Sequence, residues 1–153
     1  MLPNAPALVC AVHQAAWLSP DGEIEDISHA EVAKRLTPKK PPIVCHAPET
    51  ARRLGLPTFA TFDVLELYAF VRPARFVLPT PRGLAEALNL ALPGTLEREA
   101  ESLLASSGAL LAELADRGHG LGDVQAAPTA RAMALSGWPW AQAVLAALGK
   151  DYT

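Results

Sequence analysis

The chain has 153 residues and carries 16 acidic and 13 basic side chains, a net charge of −3, and half of its residues are apolar. That length suits one domain able to bury roughly two-thirds of its unfolded surface without disulfides or metals, and the apolar content, free of low-complexity tracts, excludes a disordered chain. No run approaches the ~18 continuous apolar residues of a membrane helix, and no basic region followed by an apolar core opens the chain, so a cytoplasmic protein without a membrane partner is expected.

In chain order, Ala7 to Val12 reads as a first strand and Gln14 to Leu18 as a second. Ser19-Pro20-Asp21-Gly22 is the turn into a third at Glu23 to Ile27, an antiparallel meander. Ser28-His29-Ala30-Glu31 has capping-box spacing and predicts a helix ending near Leu36, broken by Lys39-Lys40-Pro41-Pro42. The apolar run Ile43-Val44-Cys45 reads as a buried strand. Cys10 and Cys45 both sit in such runs, as buried thiols rather than a disulfide.

After His46 a helix is expected, with Pro48 at its first position, Glu49 at its positive end, Arg52 and Arg53 at its negative end and Gly55 as its stop. Thr58 to Phe62 is β-prone, with a strand at about Phe59 to Thr61. Asp63 follows as N-cap of a helix over Val64 to Phe70. Another helix starts at Thr80-Pro81 and runs to about Leu90. Thr95 caps a long helix that places Leu96, Ala100, Leu103, Leu104, Leu110, Leu111 and Leu114 on one face, with Gly118 as its end. The run from Gly118 to Gly122 reads as a connector, since no Gly-Lys-Ser/Thr follows it at phosphate-loop spacing. Two short helices close the chain, one after Pro128-Thr129 and one started by Pro139, with Gly137 and Gly149 as stops.

The order strand, helix, strand, helix, with His46 just past a strand and Asp63-Val64-Leu65-Glu66-Leu67 opening a helix, resembles proofreading-type 3′–5′ exonucleases of the DnaQ-like, RNase H-like fold. The stretch DVLELYAFVRPARFVLPTPRGLAEAL (63–88), with the later Gly137-Trp138-Pro139-Trp140-Ala141, is similar to the N-terminal region of bacterial DinG-type, XPD-like ATP-dependent DNA helicases. The resemblance implies an α/β, RNase H-like mixed sheet flanked by helices. Residues 1–92 would form a degenerate exonuclease-like core and residues 93–153 the helical part of the same domain, the whole a fragment of a longer helicase chain.

A DnaQ-like nuclease holds two divalent metal ions with four acidic residues, and on that pattern this chain lacks nearly all of them. The family's Asp-x-Glu pair on the first strand meets Val9-Cys10-Ala11-Val12-His13-Gln14. The acid that closes its His-Asn-x-x-Phe-Asp motif meets Ala51, so only His46 survives there. Glu101 is the nearest counterpart of the late-helix acid. His46, Asp63 and Glu101 are therefore vestigial positions, and no metal site is expected. On their own chemistry, Asp63 reads as a helix cap, Glu66 as a solvated or Arg-paired side chain, and His46 as a packed or backbone-bonded histidine. His13, His29 and His119 have no partner at metal-ligand spacing. Ser102, Ser106 and Ser107 lie on a helix outside any nucleophile-elbow frame. Trp138 and Trp140 read as core, with stacking on a base or partner as the alternative.

From Lys34 to Arg82 there are nine basic residues against three acids, which leaves the remainder at −9. Such a face could contact phosphates, with Arg52, Arg53, Arg72, Arg75 and Arg82 as the candidates and single-stranded DNA as a weakly held partner. The expectation is thus a catalytically inactive, exonuclease-like accessory domain of a DinG-type helicase that docks DNA or a partner. No cofactor is expected in this chain; ATP, magnesium and an iron–sulfur cluster would belong to the parent's motor. The alternatives are a metal-dependent 3′–5′ nuclease with rearranged ligands and a pure protein-interaction domain.

Overall fold

A computed structural model describes residues 2–118 and 126–149, the side chains of 117, 118 and 126 excepted. The described residues form an α/β fold, a five-stranded mixed sheet flanked by seven helices. In chain order these are β1 (Ala7–Cys10), β2 (Ala15–Leu18), β3 (Ile24–Ile27), α1 (His29–Arg35), β4 (Ile43–Val44), α2 (Ala47–Leu54), β5 (Phe62–Asp63), α3 (Val64–Val71), α4 (Pro81–Ala87), α5 (Leu96–Gly118), α6 (Ala126–Leu135) and α7 (Ala141–Ala147). The strand order is β3-β2-β1-β4-β5. The first three strands pair antiparallel, and β4 joins β1, and β5 joins β4, in parallel.

Side-chain alternation along the strands separates two cores. Ala7, Ala16, Leu18 and Ile43 face a large cluster with Leu67, Leu84, Leu103, Leu110, Leu114 and Trp140. Leu8, Cys10, Ala15 and Val44 face a smaller one with Val32 of α1 and, at its edge, Leu54 of α2. The sheet therefore lies between α1 and α2 on one face and α5 with its neighbours on the other. Because the larger core takes residues from Ala5 to Leu148, the sheet half and the helical half share one interior.

The predicted caps recur. Ser28 accepts the Glu31 amide at 3.1 Å, Thr80 the Gly83 amide at 2.9 Å and Thr95 the Arg98 amide at 3.2 Å. Gly55, with φ +69°, ends α2 as its own amide and that of Leu56 bond back to the carbonyls of Arg52 and Ala51. Other boundaries move. The first strand stops at Cys10 rather than Val12, because Ala11 already donates to Gln14 O across the hairpin. The last strand is Phe62–Asp63 rather than Phe59 to Thr61, set by pairing with Ile43 and Val44. Pro48 occupies the second position of α2, not the first. Helix α4 ends at Ala87 rather than Leu90, since Asn89 adopts φ +58° and the Leu90 amide closes on Ala85 O. Helix α6 begins at Ala126, before Pro128, and the expected connector from His119 to Gly122 lies outside the described residues.

Gly83 seats the segment preceding α4, for a Cβ there would meet the Leu78 carbonyl oxygen at 2.5 Å and the Leu78 Cβ at 2.7 Å. Gly83→Ala is accordingly expected to destabilise the fold by about 1–3 kcal/mol, read as a lower urea midpoint at unchanged slope. An unaltered midpoint would mean that the segment yields freely.

Candidate functional site

A cleft of about 200 Å³ opens at the carboxyl ends of β1 and β4, where the sheet changes from antiparallel to parallel pairing. The strand order also reverses there, β3-β2-β1 building outward one way and β4-β5 the other, and crevices outside the carboxyl ends of strands at such switch points are where open α/β sheets place ligands. Its walls are Cys10 and Ala11 from the end of β1, Cys45 and His46 from the end of β4, Glu49 and Arg53 from α2, Glu99 from α5, and the segment from Pro79 to Pro81.

Asp63 lies behind this wall, only 4% exposed. Its Oδ1 accepts the amides of His46 and Leu65, both at 3.0 Å, and its Oδ2 accepts the Ala47 amide at 2.7 Å. One carboxylate thus caps α3, whose start it forms, and clamps the first amides of α2. His46 reaches this position with φ +65°, a left-handed conformation rarely taken by non-glycine residues. Its Nδ1 accepts the Glu49 amide at 3.1 Å, so the ring serves as the N-cap of α2. Trp140, fully buried, donates from Nε1 to the Asp63 carbonyl at 2.9 Å and meets Phe62 edge-on at 5.1 Å.

The cleft's charged groups are tied to one another. The Arg53 guanidinium donates from Nη1 to the Cys10 carbonyl and from Nε to Glu49 at 3.2 Å, while Arg52 also binds Glu49. Those guanidinium hydrogen bonds, from Arg52 first, hold the Glu49 carboxyl at about 2. Burial raises Glu99, against the attraction of Arg53. Burial also pushes the Cys10 thiol up to about 11 despite Arg53, and raises Cys45, helped by Asp63 and Glu99. Both cysteines are free thiols, and at neutral pH neither offers a thiolate nucleophile. Among the described residues, no three or more His, Cys, Asp or Glu side chains gather as they would around a metal ion.

The positions singled out by sequence separate. His46 lines the cleft with Asp63 bonded to its amide from behind, but Glu101 stands apart: it borders a groove between α5 and the segment from Leu90 to Pro93, 3.3 Å from Arg98. The α5 acid that lines the cleft is Glu99, two residues earlier and so on another face of the helix. Arg72 is not a free surface cation. It pairs with both Glu113 oxygens at 3.1 and 2.9 Å and donates to Ala87 O at 3.0 Å. Arg75 and Arg82 are exposed and enter no ion pair among the described residues. Glu66 accepts from Trp138 Nε1 at 3.3 Å rather than from an arginine, and Trp138 leans on Phe70 at 5.2 Å. Ser102, Ser106 and Ser107 are buried in α5. Comparison of the chain with protein-family models, with curated proteins and with solved structures found no match.

Two expected outcomes follow from these contacts. In Asp63→Asn the oxygen shared by His46 and Leu65 can stay, but the amide nitrogen then confronts the Ala47 N–H. A loss of about 1–3 kcal/mol is expected by urea unfolding; an unchanged midpoint would show that the clamp is dispensable. For Glu99 the sign is opposite. Its folded pKa lies above the unfolded value, so ionising it costs folding free energy as pH rises, a cost absent once the carboxyl is protonated in both states. Glu99→Gln should therefore raise the urea midpoint at pH 7 and leave it unchanged well below the carboxylate range. A midpoint that falls at pH 7 would mean that the Arg53 attraction outweighs burial.

Proposed function

We propose that this chain is a catalytically silent, RNase H-like, exonuclease-type domain that serves a DinG-type ATP-dependent DNA helicase as a docking module in the cytoplasm. The observation that carries the reading is the combination of strand order β3-β2-β1-β4-β5 with an Arg53 guanidinium bonded to the end of β1. In a nuclease of that fold the same strand end would carry the acids that hold a metal. Here β1 supplies an apolar thiol and a carbonyl already engaged by a cation.

The donor set does not fit the pair of divalent ions that such a nuclease needs. Asp63 has both oxygens on backbone amides, Glu49 is held by two arginines, and Glu99 stands beside Arg53. A fixed guanidinium repels a dication in this space. Without metal-held water and a stabilised leaving oxygen, phosphodiester hydrolysis has neither nucleophile nor clamp. ATP, magnesium and an iron–sulfur cluster would act in the motor of the parent chain, and this domain would contribute position rather than chemistry.

The test is digestion of end-labelled single-stranded DNA with magnesium or manganese. No shortening is expected beyond the level of a heat-denatured control. Shortening that vanishes in Glu99→Gln would overturn the silent reading in favour of a nuclease with rearranged ligands.

A further inference from the structure

Between α3 and α4 the chain puts an aromatic ring into water from an anchored frame. Phe76 is 82% exposed and Leu78 55%, whereas Val77 between them packs on the main core. On one side the segment is held by Arg72, through Glu113 and Ala87 O. On the other, Leu78 rests on Gly83 and its carbonyl accepts the Thr80 amide at 2.8 Å. Ala74, at φ +64°, makes the bend from which Arg75 and Phe76 emerge. A strip that turns Val77 inward and the Phe76 ring outward leaves apolar surface unburied that folding would otherwise hide.

Arg75 directly precedes Phe76 in the chain, and Arg82 lies one residue from the Gly83 that supports Leu78. Both are exposed, and neither has an acidic partner among the described residues, unlike Arg35, Arg52, Arg53, Arg72 and Arg98. We propose that the Arg75-Phe76 strip, with Arg82, is a contact site for single-stranded DNA, one base stacking on Phe76 while the two guanidinium groups take flanking phosphates. This rests on the reading of the domain as a docking module for a DNA enzyme.

The choice of occupant follows from chemistry and size. A single strand needs only an aromatic face and nearby cations, and any base supplies a π-face. In a duplex those faces are stacked and unavailable. One phenylalanine and one leucine fall short of the buried centre that a stable protein interface of about 1,200–2,000 Å² requires.

The experiment is titration of a fluorescent oligothymidylate with the whole chain, in chelator and at several salt concentrations, so that nuclease activity does not enter the reading. Phe76→Ala should weaken binding about 5- to 100-fold with an unchanged salt slope, and Phe76→Trp should retain it. Arg75→Ala with Arg82→Ala should flatten the log–log slope by about 1.4, at ~0.7 per phosphate contact. Arg98→Ala should leave both unchanged. Because Phe76 is exposed, the variants should melt as the wild type does, which separates lost binding from lost folding. No binding at the lowest salt, or equal binding by Phe76→Ala, overturns the proposal. So does a Phe76→Ala that binds DNA normally but fails to associate with a helicase motor, which would assign the strip to protein docking. Digestion in the nuclease assay would instead overturn the functional reading and leave the strip to stand or fall on its own titration.

Discussion

The structure depends on one buried carboxylate. Asp63 ends β5, caps α3 and holds the first two amides at the start of α2, while its own carbonyl receives the indole of Trp140. The parallel half of the sheet, the helices on its two faces and the C-terminal helical segment meet at this residue. Burying a charge is costly unless its lone pairs are used, and here three amides use them. Those amides belong to helix starts, which have unsatisfied N–H groups to offer and a positive field to go with them. The strained backbone of His46 is maintained by the same contact, since its amide must turn toward Asp63 to be bonded. Local cap and tertiary lock coincide in one side chain.

That arrangement has a chemical consequence at the neighbouring cleft. A carboxylate whose oxygens are engaged by amides has little to offer a cation, and an arginine bonded to a strand-end carbonyl is fixed in place with its charge at the cleft. Glu49, Arg52 and Arg53 form a closed set of ion pairs, and Glu99 adds a carboxyl whose burial favours its protonated form. The cleft keeps the shape of a binding crevice while Glu49 and Arg53 are engaged with each other and with the Cys10 carbonyl, and Glu99 enters no ion pair among the described residues. Salt bridges so exposed contribute little to stability, so their effect is chiefly to set the cleft's electrostatics.

What could be read from sequence was what short-range chemistry decides. Ser28, Asp63, Thr80 and Thr95 cap helices because a side-chain oxygen meets an amide two or three residues on, and Gly55 and Gly137 stop helices by taking positive φ. Strand ends were less legible because partners remote in sequence set them: β5 exists where Phe62 and Asp63 meet Ile43 and Val44, not where β-propensity is greatest. Arg72 looked like a surface cation because Glu113, forty-one residues later, is invisible to any local window. Glu99 was missed for Glu101 because a two-residue step turns a helix by roughly 200°, and only packing settles which face meets the cleft. The signal for Glu99 was its place directly before Ala100 of the core stripe, which puts it at the stripe's edge and within reach of the sheet.

The same sorting by distance separates the basic residues into two kinds. Arg35 lies over Trp17 at 5.4 Å and grips Glu25, Arg53 closes the cleft and Arg72 braces α3 against α4 and α5. Each of these has an acidic partner inside the fold, Arg53 sharing Glu49 with Arg52, so the local excess of positive charge overstates what the surface can offer a partner. Arg75 and Arg82 are unmatched, and they stand where the backbone is held on both sides and an aromatic ring projects. An anchored segment loses less conformational entropy on binding than a loose one, so a small contact there can be effective despite its size. The cleft's Glu49 and Arg53 are engaged with each other, whereas at the strip between α3 and α4 and the start of α4 two arginines without an acidic partner among the described residues stand close in sequence to an exposed ring.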